Sequence, residues 1–134
     1  MSRADFYQLK SDDPASRYPL LWRLLEKCLD AEQQVYIICG DEAEALHLNQ
    51  YIWAFKPDSF IPHVCAHEDA NAVVVLGHRS TPDAALPDHR EICINLNPQL
   101  APEPFERVIE LVVQDADMLQ TAREHYAKYS QLGR

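Results

Sequence analysis

Three short groups of side chains in this sequence have types and spacing that could support chemistry. His63, Cys65 and His67 form an HxCxH pattern. Alternate residues of an extended segment share a face, so three metal-capable groups would point the same way and suit zinc. No fourth ligand is spaced nearby, and the same residues also fit a core cysteine between two partly solvated histidines. Gly40 and Gly77 each follow an apolar run. Ligands bind at such places in parallel α/β sheets, so Asp41 or Glu42 could serve there as an acid or base on a small molecule. Asp41 also stands three residues before Glu44, the spacing of a helix cap and its N3 partner. Near the C-terminus, Arg123, Tyr126 and Ala127 fall on neighbouring helical turns. A guanidinium beside an aromatic face would make a shallow site for a carboxylate. The competing arrangement has Tyr126 in the core and Arg123 on an ordinary solvated face.

None of these groups is completed into a catalytic motif. Phosphate-cradling loops need glycines, and the chain has only Gly40, Gly77 and Gly133, with neither GxGxxG nor GxxxxGK[ST]. There is no GxSxG elbow, and neither Ser59 nor a cysteine has a base that spacing reveals. No enzyme activity and no cofactor are expected.

The elements that must position these groups are legible from periodicity. Asp5 to Leu9 alternates as a short first strand. From Ser16 to Glu32, Tyr18, Leu21, Trp22, Leu25, Cys28 and Leu29 recur at helical spacing and give one apolar face. Gln34 to Cys39 is a continuous apolar run suited to a central parallel strand, ended by Gly40. A second helix starts after Asp41, with Ala45, Leu48 and Ile52 inward, and ends at Ala54 or Phe55 because Pro57 disfavours helical geometry at Lys56. Further strands follow over Ala72 to Leu76, Ile92 to Leu96 and Arg107 to Val113, the last open to a helix reading as well, separated by proline-containing loops at His78 to Arg90 and Asn97 to Pro104. A terminal helix covers Asp115 to Leu132, with Met118, Leu119, Ala122, Tyr126 and Tyr129 at helical spacing and Gly133 to end it. Strands alternating with helices predict a three-layer α/β/α domain with a mostly parallel central sheet, Rossmann-like but without its nucleotide motif.

One stretch departs from this economy. Trp53, Phe55, Phe60 and Ile61 put large apolar groups in and after the end of a helix, where connections are normally small and polar. Either they fold back onto the core, or Trp53 and Phe60 form an aromatic anchor for a partner. At 134 residues, 25% charged and 47% hydrophobic, the chain predicts one globular domain, residues 1 to 134. It contains no stretch as apolar and long as a membrane span, and MSRADFYQLK lacks the apolar run of a secretory signal, so a cytoplasmic location is expected. Cys28, Cys39, Cys65 and Cys93 form no CxxC pair and are expected to be free thiols. A net charge of −9 opposes direct binding of nucleic acid. The charge is uneven, because Arg123, Lys128 and Arg134 stand against Glu124 alone in the last fifteen residues, a local +2 that leaves −11 for the rest.

DFYQL at Asp5, YIICGDEAEA at Tyr36, LNQYIWAFKPDSFIPH at Leu48, ICINL at Ile92 and AREHYAKY at Ala122 together resemble the chi subunit of bacterial DNA polymerase III holoenzyme. The matching segments keep the family's order over nearly the whole chain, and IWAFKPDSFIPH is the specific one. The resemblance implies a non-catalytic clamp-loader accessory protein in DNA replication. It would bind the psi subunit on one side and the acidic C-terminal tail of single-stranded DNA-binding protein on the other. By that likeness Trp53 and Phe60 fall at the psi interface, a surface that in some members also meets a repair helicase. The tail site would carry over to Arg123 and Tyr126, with Lys128 beside them. Positions where relatives place lysines next to that arginine read Leu119 and Ala127 here.

Overall fold

The computed structural model describes residues 3–55, 63–65, 74–78, 91–97 and 105–131. Among the described residues, six strands and three α-helices follow in the order β1 (Arg3–Gln8), α1 (Arg17–Asp30), β2 (Val35–Cys39), α2 (Glu42–Phe55), β3 (His63–Cys65), β4 (Val74–His78), β5 (Ile92–Asn95), β6 (Arg107–Val112) and α3 (Ala116–Gln131). The sheet runs β1-β6-β5-β2-β4-β3, and every pairing in it is parallel. The expected sheet was mostly parallel; among the described residues it is wholly so. Among the described residues β1 and β3 form its edges.

Strand parity sorts the side chains into two cores. On one face, Leu21 and Leu25 of α1 and Ala45, Leu48 and Ile52 of α2 pack with Val35, Ile37, Val74, Leu76, Ile92 and Ile94. On the other, Tyr129 of α3 packs with Tyr36, Ile38, Val75, Cys93, Phe105 and Val108. This is the predicted three-layer arrangement, and β2, β4 and β5 are buried on both faces because helices cover both. Cys28, Cys39 and Cys93 are buried thiols outside any disulfide.

The boundaries differ from the periodicity in two instructive places. α1 stops at Asp30, not Glu32, because Glu32 adopts a left-handed φ of 59° and Gln33 N–H closes the helix end on the Cys28 carbonyl at 2.8 Å. β4 continues through Gly77 to His78. Gly77 is a strand interior position, not a strand end: a Cβ there would stand within 2.9 Å of the Tyr36 ring, so glycine is what lets that buried ring lie across the backbone. The segments read from sequence as the aromatic stretch after Phe55 and as loops after His78 and Asn97 lie outside the described residues.

Candidate protein-docking groove

The terminal helix is fixed at its start by Asp115, whose Oδ2 accepts the Met118 N–H at 3.1 Å. Its inward stripe is Met118, Ala122, His125 and Tyr129, the last two buried. His125 and Tyr129 meet a carboxylate inside the sheet. Glu110 of β6 is 6% exposed; its Oε1 lies 2.9 Å from His125 Nδ1, and its Oε2 accepts from Tyr129 Oη at 2.7 Å and Asn95 Nδ2 at 2.7 Å. Buried polar groups are tolerated when each finds a partner, and here one carboxylate of β6 holds three side chains on two other elements, α3 and β5. Sequence reading missed this network. Its signal was a lone acid inside the apolar run VIELVV, together with His125 at helical spacing from Ala122 and Tyr129.

With His125 turned inward, Tyr126 turns outward. It is 64% exposed, which corrects its placement with the inward positions of the last helix. Its ring packs edge-on against Phe6 of β1 at 5.7 Å, and Phe6 in turn contacts Tyr129 at 6.1 Å. Tyr126 and Arg123, also exposed, form one wall of an open groove of about 650 Å³ between α3 and the edge strand β1. Ala4, Asp5, Phe6, Gln8, Val112, Gln114, Leu119 and Ala122 line the rest, with the Asp5 carboxylate already paired to Arg3 and Arg107. No ion-pair partner of Arg123 occurs among the described residues. Lys128 is exposed on the same helix but does not line the groove, nor does Ala127. The arrangement therefore offers a guanidinium with no ion-pair partner among the described residues, one aromatic face and a floor of mixed apolar and polar side chains, a combination suited to a carboxylate next to an aromatic or aliphatic group.

The other candidates separate from this groove. Position 53 lies in the last turn of α2, on the sheet face opposite α3, while Phe60 lies outside the described residues. His63 and Cys65 form β3 at the far edge, as an extended segment. His67 lies outside the described residues, and among these no group of three His, Cys, Asp or Glu side chains comes together.

The expected polar group after Gly40 is committed to structure. Asp41 Oδ1 accepts the Glu44 N–H at 2.8 Å, so Asp41 is the α2 cap. Glu44 Oε1 accepts the Gly40 N–H at 2.7 Å, and its Oε2 takes the Arg17 guanidinium at 3.1 Å and the Tyr18 hydroxyl at 3.0 Å. Burial, and then the negative charge of Glu44, push the Tyr18 hydroxyl up to about 12. A smaller cavity of about 190 Å³ at the ends of β5 and β6 is lined by Arg17, Asn97 and Glu110 among others. Arg17 and Glu110 are already held there by Glu44 and by the α3 network. No helix of the described residues is long and apolar enough to cross a membrane.

Comparison with known proteins adds family to geometry. The family model described as DNA polymerase III chi subunit, HolC, matches residues 1–134. The DNA polymerase III subunit chi of Pseudomonas aeruginosa is 40% identical over 136 residues, covering 99% of this chain and 92% of that protein. The subunit of the same name from Escherichia coli K12 is 29% identical, covering 99% and 94%, and that of Haemophilus influenzae is 25% identical, covering 92% and 86%.

Proposed function

Because the chain belongs to the DNA polymerase III chi subunit family, we propose that it is a non-catalytic accessory subunit of the clamp loader, joining two partners by different forces. One is the psi subunit, met by an apolar patch that includes Trp53 and Phe60. The other is the acidic C-terminal tail of single-stranded DNA-binding protein, captured by Arg123 and Tyr126.

The observation that carries the second contact is the exposed Arg123 and Tyr126 on one wall of the groove beside β1. An acidic tail ending in an aromatic residue supplies what that wall lacks: a carboxylate for the guanidinium and a ring for the Phe6 and Tyr126 surface. Charge fits the division of labour. A net −9 body repels a phosphate backbone, whereas a local cation attracts an anionic peptide. Leu119 lines the groove beside Arg123, so this chain grips with apolar contact and one guanidinium.

The test is a titration of the terminal peptide of the cognate single-stranded DNA-binding protein against wild type and Arg123→Ala. Removing one well-formed charge-assisted contact should cost about 1.5 to 3 kcal/mol, or ten- to a hundredfold in Kd. Equal affinities would take Arg123 out of the site.

A further inference from the structure

β1 is an edge strand, and its hydrogen-bonding parity can be read from its ends. Arg3 N–H donates to the Glu106 carbonyl at 2.8 Å, and Leu9 N–H donates to the Val112 carbonyl at 2.8 Å. In a parallel pair with the register Arg3 to Arg107, odd-numbered residues of β1 therefore turn their main-chain groups toward β6. Ala4, Phe6 and Gln8 turn theirs toward the open edge, where no strand lies among the described residues. Those three residues also line the groove that carries Arg123 and Tyr126. Exposed edges of this kind are templates for an added strand, and natural proteins either blunt them or use them.

We infer that the acidic peptide taken by this groove lies along β1 as a seventh strand, exchanging main-chain hydrogen bonds with Ala4, Phe6 and Gln8. The inference rests on the reading of the groove as a peptide site. It adds that affinity comes from the peptide's backbone as well as its terminal carboxylate. From Ala4 to Gln8 the edge is about 13 Å long at roughly 3.3 Å per residue, room for an extended segment of about five residues. The side chains of such a strand would alternate, and those on the α3 face would meet Phe6, Tyr126 and Arg123. This compensates for the single cation, because an added strand gains hydrogen bonds that do not depend on a cluster of lysines.

The test is amide hydrogen exchange by NMR, with and without the terminal peptide used in the titration. Arg3, Asp5 and Tyr7 N–H groups are already bonded within the sheet and should slow only as much as the whole protein does on binding. Ala4, Phe6 and Gln8 should slow by at least a further tenfold, giving an alternating pattern along one strand. If the peptide binds and depends on Arg123 but the even-numbered amides follow their odd neighbours, strand addition is wrong and the groove stands as a side-chain site. If the peptide does not bind, or ignores Arg123→Ala, the site reading fails and this inference with it. Protection of the same three amides without peptide, rising with protein concentration, would assign the edge to a second copy of the chain and also overturn the proposal.

Discussion

The Glu44 carboxylate accepts from the Gly40 N–H, the Arg17 guanidinium and the Tyr18 hydroxyl, so one side chain closes the turn after β2 and ties α1 to α2. Its cost appears on Tyr18. A hydroxyl buried beside an anion resists losing its proton, and its pKa of about 12 compares with 10.0 for the free side chain. The folded state holds this proton more tightly than the unfolded chain does. Stability associated with it is therefore complete below pH 10 and falls as pH rises from about 10 to about 12, where the unfolded chain ionises first. Denaturant unfolding across that window should show a decline that Tyr18→Phe makes shallower, and the mutant should lose a transition near pH 12 in a tyrosinate absorbance titration. An unchanged titration would mean that Tyr18 is not the tyrosine held by Glu44.

At the scale of elements, α3 is seated by polar contact as well as by packing. Its inward stripe is short of large apolar groups, with Met118 and Ala122 only half-buried, and Glu110 takes up the difference by holding His125 and Tyr129 from inside the sheet. Glu110→Ala removes the acceptor shared by His125, Tyr129 and Asn95 and should cost about 3 kcal/mol in chemical denaturation, within the range for breaking a buried paired charge. Glu124→Ala, at an exposed position of the same helix, should stay within about 0.5 kcal/mol. Similar losses for the two would sink the idea that α3 is seated by this carboxylate.

The same helix shows what a sequence can and cannot disclose. Its existence, its start at Asp115 and the burial of Tyr129 follow from spacing, as the strands follow from VYIIC and ICIN. Whether Tyr126 or His125 turns inward does not, because the two differ by one position and hydrophobicity favours the tyrosine. The choice is made by Glu110, a partner on a strand fifteen residues from His125, and pairing of that kind leaves no periodic trace. The role of Gly77 is hidden for a similar reason: the ring that requires it belongs to Tyr36, on a neighbouring strand.

Taken whole, the molecule places its two proposed contacts on elements that pack against opposite faces of one sheet: α2, which carries Trp53, and α3, which carries Arg123. The layers between them are tightly buried, and sites that share no partner are expected to respond independently to substitution. The forces also differ. An aromatic anchor loses about 2 kcal/mol or more on truncation and is little affected by salt, whereas attraction between Arg123 and an acidic tail is screened as ionic strength rises. Trp53→Ala and Phe60→Ala should therefore abolish co-purification with psi while tail-peptide affinity and far-ultraviolet circular dichroism stay at wild-type values. Arg123→Ala should do the converse, and added salt should weaken peptide binding in wild type more than psi binding. If the aromatic substitutions instead unfold the chain, those side chains belong to its core and psi must dock elsewhere. If they impair both contacts in a folded protein, the faces are coupled and the picture of a rigid two-sided adaptor fails.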